Sequence, residues 1–484
     1  MGLSTTLANA LTGLTAASHR AEIVSSNVAN AQTPGYARRA VDLSAQSIGG
    51  VGAGVSIDGV SRSLNQLVLN DRRLADAAAG NAATENTFLG SVQDAIGQPG
   101  TPGALGDQVD AFDAALVQAA SRPDSQAQLQ SVLTAATNLT GKLSSLTTNL
   151  QQARMNADSS IASQVDDLNR SLSQIDALNS DILAQRSSGN DASALMDQRQ
   201  QLVDHVATIV PIRETARDND QIALYTTGGA ILLDGNTAKI GFSPVGVITA
   251  DMTLASGALG GLTINGTPVA SGDDGPLGGG TLGAQFAIRD VLAPQIQSQM
   301  DALARNLMER FQDTAVDPTL SPGEPGLFTD AGAALDPLAE TGLAGRIAVN
   351  GLVDPAQGGA LWRLRDGLGA TAPGNVGDAT LLNALHDTLA ATRVPASGAF
   401  NGTARSATGL AADVLSQVAG SKQSADARQT FTTARQQSLT EIQLHDGVDT
   451  DAEMQTLLQV QQAFSANARV IKTVDDLIQQ LIGM

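Results

Sequence analysis

Apolar residues near the start of the chain recur every three or four positions. Leu3, Leu7, Leu11, Leu14, Ala17, Ala21, Val24 and Val28 fall on one stripe of a helix. Ser4 is placed to cap that helix, which leaves Leu7 as an early core-facing position. The helix should end near Ala29, because Thr33-Pro34-Gly35 is a turn: Pro34 fixes φ and Gly35 accepts positive φ. Residues 36–60 are extended and Gly-rich, around Val41, Val51, Val55 and Ile57. Helix returns at about Ser61 and runs through Leu64, Leu67 and Leu74 to about Ile96. The run Gln98-Pro99-Gly100-Thr101-Pro102-Gly103 is a loop.

Residues 106–207 read as long helices with few breakers. Leu143, Leu146, Leu150, Ile161, Val165, Leu168, Leu172, Ile175, Leu178 and Ile182 keep the three–four spacing. Two or three antiparallel helices fit this stretch. The period changes over 210–280, where short apolar runs such as Ile222-Ala223-Leu224-Tyr225 and Ala230-Ile231-Leu232-Leu233 are bounded by Gly, Asp and Asn. That predicts a small all-β insertion. Residues 282–314 are helical again. Residues 316–375 are rich in Gly, Pro and Asp, and helices are expected at about 378–392, 405–419 and 422–445.

The last segment carries a heptad seam. Leu457, Phe464, Ile471 and Ile478 recur every seven residues, with Val460, Asn467, Val474 and Leu481 as the companion row. A helix of about 29 residues from Met454 would span roughly 43 Å. Asn467 is the one polar member, a device that fixes register at some cost in stability. A single seam is also compatible with a helix buried in its own domain. The N-terminal 40 residues carry about +2 and residues 445–484 about −4. Matched length and weakly complementary charge predict that the two ends pair, antiparallel or side by side.

The expected fold is mainly α with β insertions: long antiparallel helices, paired N- and C-terminal coiled-coil helices and a small all-β domain. The expected division is a discontinuous terminal core (1–35 and 446–484) and a long-helix rod domain (36–209, 281–315 and 401–445). A β-rich insertion (210–280) and a loop-rich outer subdomain (316–400) complete it.

Composition narrows the function. With 28 basic and 48 acidic side chains the formal net charge is −20, which opposes tight binding to nucleic acid or anionic lipid. The absence of cysteine excludes a disulfide framework and a thiolate metal site. No apolar run of about 18 residues predicts a membrane anchor. The N-terminus shows no basic region followed by an apolar stretch, so no cleaved signal peptide is expected. Met1-Gly2-Leu3-Ser4-Thr5-Thr6 fits the myristoylation pattern, which is short and common by chance.

Candidate chemistry is sparse. Gly278-Gly279-Gly280-Thr281-Leu282-Gly283 satisfies G-x-G-x-x-G before a helix, with Asp301 further on, but a turn rather than a strand precedes it. A linker from β insertion to helix is the expectation there. His19, His205, His386 and His445 are scattered without the spacing of a helical zinc site. Asp273-Asp274 reads as a solvated turn. No G-x-S-x-G elbow occurs. No catalytic, cofactor-binding or metal residue is assigned, and no enzyme activity is expected.

Two motifs at opposite ends carry a resemblance. Ser25-Ser26-Asn27-Val28-Ala29-Asn30-Ala31-Gln32-Thr33-Pro34-Gly35-Tyr36 resembles the N-terminal signature of the rod, hook and hook-associated proteins of bacterial flagella. Gln461-Gln462-Ala463-Phe464-Ser465-Ala466-Asn467-Ala468-Arg469-Val470-Ile471, entered through Gly447-Val448-Asp449-Thr450-Asp451, resembles the terminal helix of the same superfamily. The interior is similar to the family of the first hook-associated protein, found at the hook–filament junction. Leu195-Met196-Asp197-Gln198-Arg199-Gln200-Gln201-Leu202-Val203, Gly283-Ala284-Gln285-Phe286-Ala287-Ile288-Arg289-Asp290 and Tyr36-Ala37-Arg38-Arg39 carry that likeness. It covers about residues 1–60, 190–312 and 420–484. Residues 316–400 align with nothing and are the only room for a wall-degrading domain, of which they show no organised acid pair.

The resemblance implies an extracellular structural protein of the flagellum, exported without a cleaved signal by the flagellar type III apparatus with an export chaperone. Its partners would be itself, the hook protein and the second junction protein. The implied polymerisation interface is the N-terminal stripe (Leu7, Leu11, Leu14, Ala17, Ala21, Val24, Val28) and the C-terminal seam (Leu457, Val460, Phe464, Asn467, Ile471, Val474, Ile478, Leu481). The implied turn motif is Ser26, Asn27, Asn30, Thr33, Pro34, Gly35 and Tyr36. In the free chain the terminal helices are expected to be mobile. A hook or distal-rod protein of the superfamily, and a secreted helical binding module that never polymerises, stay open as alternatives.

Overall fold

The computed structural model describes residues 2–33, 35–48, 51–400 and 402–483. Helix α1 (Leu3–Asn30) opens the chain. It starts upstream of the expected cap: the N–H groups of Thr5 and Thr6 donate to Gly2 O, so Ser4 lies inside the first turn and makes no side-chain cap bond. Strands β1 (Arg38–Ile48) and β2 (Val51–Ser63) form an antiparallel hairpin that packs along α1. Gly54 permits the close approach: at φ +96 a Cβ there would lie 2.1 Å from Thr12 Oγ1. Residues expected to begin the next helix at Ser61 belong to β2 instead, because Ser61 pairs with Ala40 and Arg62 with Arg39. Helix α2 (Gln66–Ile96) follows, capped by Asn65 Oδ1, which accepts from Val68 N.

The helical body continues with α3 (Leu105–Ser121), the 62-residue α4 (Gln126–Ser187) and α5 (Ser193–Ile209). Two three-stranded antiparallel sheets then interrupt it. The first is β3 (Ile212–Ala216), β4 (Ile222–Thr226) and β5 (Ile231–Leu233). The second is β6 (Ile240–Gly241), β7 (Leu262–Ile264) and β8 (Thr267–Val269). The return path is α6 (Gly280–Ala287), a π-helical segment (Ile288–Leu292) and α7 (Ala293–Phe311).

Residues 316–400 hold strand β9 (Phe328–Asp330) paired with β10 (Ile347–Val349), and the helices α8 (Leu343–Arg346), α9 (Arg363–Asp366) and α10 (Thr380–Ala390). Leu343, Ile347, Leu364 and Leu382 of this stretch join the main core, whose centre is a cluster of Phe112, Phe311 and Phe328 rings 5.1 to 5.7 Å apart. A second core lies under the sheets, where Ile161, Leu168 and Leu172 of α4 and Val203 and Val206 of α5 meet Leu224 and Leu232.

The two helices expected over 405–419 and 422–445 are one, α11 (Ala407–His445). Gly420 does not break it: the space where its Cβ would sit is open, so only a propensity cost of about 1 kcal/mol applies. Helix α11 runs antiparallel to α2. Asn65 bonds Asp446, Asp76 accepts from Gln436, and Asn86 bonds Asp426 and Gln429. Helix α12 (Thr450–Ile482) closes the chain. It begins before Met454 because Asp449 caps it, accepting from the N–H groups of Asp451 and Ala452.

Helices α1 and α12 pack antiparallel. Arg38, just past the end of α1, pairs at 2.7 Å with Glu453 at the start of α12, while Gly13 lies against Asn467. The observed architecture is therefore mainly α, with paired terminal helices and small antiparallel sheets.

Candidate functional site

The terminal pair presents most of the residues singled out by pattern. On α12 the seam faces α1 through Val460 and Val474, both buried, and through Leu457, Asn467, Ile471 and Ile478, half-buried. Phe464 is exposed, and Leu481 is 63% exposed. On α1, Ala17 and Val24 are buried and Leu7, Leu14, Ala21 and Val28 half-buried, while Leu11 is 56% exposed. Ala10 and Ala16 are buried beside this stripe and were outside it. Small side chains at these points let the helices and the hairpin approach closely.

A second apolar set lies outside the seam and is not covered by α1. Met454, Leu458, Val470, Leu477 and Ile482 are exposed. Val470 and Leu477 stand seven apart, a third row parallel to the seam. That spacing was available as a signal. Helix α12 thus carries apolar side chains on about half its circumference and buries only part of that arc.

The turn motif fixes the end of α1. Asn30 Nδ2 donates to Ser26 O at 3.0 Å and its Oδ1 accepts from Thr33 Oγ1 at 3.2 Å. Gly35 has φ +78, and Pro34 lies outside the described residues. Asn27 bonds outside the helix end. It is fully buried and staples two segments: Nδ2 donates to Arg39 O at 2.9 Å, and Oδ1 accepts from Arg39 N at 3.0 Å and Tyr36 Oη at 2.9 Å. A side-chain amide can mimic a backbone strand partner in this way. Tyr36 Oη also lies 3.3 Å from Ser26 Oγ.

The remaining candidate groups serve the fold. The glycine run before α6 is a close-packed turn rather than a slack linker: a Cβ on Gly280 would lie 2.2 Å from Ile209 O. Asp301, twenty residues on, is buried and accepts from the N–H groups of Gly342 and Ala344 at 2.8 Å each. Its carboxyl is held above the ordinary range by burial, which those hydrogen bonds only partly offset. His386 Nδ1 pairs with Asp113 at 2.6 Å. Among the described residues no group of three or more His, Asp or Glu is arranged to hold a metal. No helix among them is long and apolar enough to cross a membrane.

Three known families match along the chain. Residues 74–324 match the Flagellar hook-associated protein FlgK helical domain, 446–484 the Flagellar basal body rod FlgEFG protein C-terminal, and 7–36 the Flagella basal body rod protein. The chain is 24% identical to Flagellar hook-associated protein 1 of Bacillus subtilis (strain 168), over 100% of this chain and 98% of the relative. It is 26% identical to Flagellar hook-associated protein 1 of Salmonella typhimurium, over 49% of this chain and 44% of that one. A solved structure, the flagellar hook junction protein FlgK from Burkholderia pseudomallei, aligns over 54% of this chain and 46% of its own at 21% identity and a TM-score of 0.45. Both ends carry axial-family sequence, and the helical-domain match spans more than half of the 484 residues. The chain therefore belongs to the flagellar hook-associated protein family and is a structural component of the flagellum.

Proposed function

We propose that the chain polymerises at the hook–filament junction, as an adaptor between the hook and the flagellin filament, and that α1 and α12 supply the contact. One observation carries this reading. Helix α12 is 33 residues long and buries only Glu453, Val460 and Val474. Its outer apolar row faces water, which favours association at about 25 cal/mol per Å² of apolar surface covered. Heterologous contacts of this kind propagate around a helical lattice. The partners are further copies of the chain, the hook protein and the second junction protein. Export follows the flagellar type III route with a chaperone, and the final location is outside the cell. The chain acts by shape and contact, without catalysis, and its acidity argues against nucleic acid as a partner.

The test is a pair of variants expressed in cells that lack the native protein. Deletion of 450–484, or Ile471→Asp, is expected to leave a folded body while abolishing incorporation into flagella. The charge enters a half-buried apolar seam. Normal flagella from either variant would sink the role assigned to α12.

A further inference from the structure

The two interior signatures that the fold alone leaves unexplained, Tyr36-Ala37-Arg38-Arg39 and Leu195-Met196-Asp197-Gln198-Arg199-Gln200-Gln201, meet in space. Arg39 on β1 and Arg62 on β2 are direct register partners in the hairpin. Two cations opposite each other on a ladder repel. Asp197 of α5 resolves this conflict: its Oδ2 accepts from Arg39 Nη2 and its Oδ1 from Arg62 Nη2, both at 2.6 Å. Arg62 Nη2 also reaches Gln200 Oε1 at 3.0 Å. The three side chains are shielded, at 14%, 7% and 12% exposure for Arg39, Arg62 and Asp197. The Nε atoms of both arginines are buried without a hydrogen-bond partner, so the shared carboxylate is the main compensation for either charge.

Each side of this clasp is itself fixed. Asn27 holds the Arg39 backbone from both sides, and the Arg39 guanidinium lies 4.9 Å from the centre of the Tyr36 ring. Gly35 is pressed so closely on α5 that a Cβ there would lie 2.8 Å from Gln201 Cγ. Packing does less on the far side. A cavity of about 190 Å³ lies between Arg62, Leu64, Arg199 and Glu214, so the hairpin is not wedged against the body there. The hairpin and the two terminal helices also join the body where the chain passes from β2 to α2 and from α11 to α12, two points tied by Asn65 Nδ2 to Asp446 Oδ2 at 3.0 Å. The joint therefore has a pivot, at Asn65 and Asp446, and a lock displaced from it.

We propose that Asp197 is the positioning residue of this joint: by holding both hairpin strands it sets the angle at which α1 and α12 leave the helical body. A lattice that binds the terminal helices while the bodies pack outside them requires one such angle. That last step rests on the polymerisation reading; the joint itself does not.

The chain has no cysteine, so spin labels can be placed at will. With Arg20→Cys on α1 and Ser173→Cys on α4 in the full chain, electron–electron dipolar spectroscopy should give one narrow distance distribution. Asp197→Asn should lose the single peak and give a broad distribution, while the melting transition of the body stays in place. Asp197→Glu should restore the peak. If Asp197→Asn lowers the melting transition, Arg39→Gln, which leaves α5 untouched, should broaden the distribution in its place. A narrow distribution in Asp197→Asn, or in Arg39→Gln where it stands in, overturns the proposal. A broad one with normal incorporation into flagella overturns the link to assembly. Ile471→Asp, whose joint is intact, separates these outcomes: if it also assembles normally, the polymerisation reading has failed and not the joint.

Discussion

Arg73, Arg154, Arg289 and Arg310 are fully buried, and they divide into two kinds. Arg73 and Arg289 meet carboxylates, Asp204 and Glu214 for the first and Asp158 and Asp290 for the second. Arg154 and Arg310 bond mainly to carbonyls. Arg310 donates to Thr388 O and Ala391 O at the end of α10, to Arg405 O and to Asn306 Oδ1. Burial, with Arg393 nearby, lowers its pKa to about 10, so it stays charged at neutral pH. It donates to carbonyls at the C-terminus of α10, which intrahelical bonds leave open. Arg310→Leu should cost about 2–4 kcal/mol, because the carbonyls of Thr388 and Ala391 lose this charged donor at once. A denaturant titration would show this as a lower midpoint with an unchanged slope. Such a residue is illegible in the sequence, since its carbonyl partners are 78 to 95 residues away. Glu85 gives a different lesson. It pairs with Arg428 at 2.8 Å, yet burial dominates and its carboxyl is held above the usual range. Arg428 is 58% exposed and solvent screens it. A folded pKa above the unfolded one means that protonation is tolerated better in the fold. The stabilising contribution is complete below the unfolded pKa of about 4.3 and is lost as pH rises through the folded value. Glu85→Gln should therefore match the parent chain in melting temperature near pH 4 and exceed it at pH 7. A higher melting temperature for the parent at pH 7 would show that the Arg428 pair prevails.

Among the elements, the terminal helices were the most legible, because a heptad row reports one face directly. Their contact has a detail the rows did not predict. Asn467, the polar seam member, sits over Gly13 of α1, where a Cβ would lie 2.8 Å from Asn467 Nδ2. The register of the pair is thus set by a polar side chain entering a notch. Gly13→Leu should fill the notch and drive the helices apart, costing about 1–3 kcal/mol of local stability. Faster hydrogen exchange across 460–475, with no change in α4, is the expected reading; unchanged exchange would mean that Asn467 does not fix the register. Elsewhere the errors have physical causes. Ser61 looked helical by its neighbours, but pairing with β1 overrides local preference. Gly420 looked like a breaker, but an exposed helix carries one glycine without ending. Residues 316–400 stayed opaque because their order comes from short segments such as the turn at Gly342 into α8, where the Gly342 and Ala344 N–H groups donate to Asp301 of α7. No periodicity announces a contact of that kind.

At the scale of the molecule, stability is unevenly distributed. Helix α4 buries 21 of its 62 residues, many of them in the two cores, whereas α12 buries three of 33. Local opening is easiest where few apolar contacts hold an element. Some of the body's arginines are shielded in ion pairs, as with Arg73, Arg289 and Arg365, while exposed ones such as Arg170 and Arg428 lie within the long helices α4 and α11. The basic residues of α12, Arg469 and Lys472, are both exposed, and so is Arg20 on α1. Trypsin should cut after Arg469 or Lys472 first and after Arg20 next, leaving a resistant body that mass mapping would locate. The same sites should resist the enzyme in purified flagella, where neighbouring copies cover the outer row of α12. Cleavage of the body before the ends would show that the terminal pair is as firmly held as the cores. The exposed row would then be a poor candidate for a surface that orders on assembly. Sites that stay equally sensitive in flagella would mean that the row remains uncovered there, and the contact between copies would have to lie elsewhere on the chain.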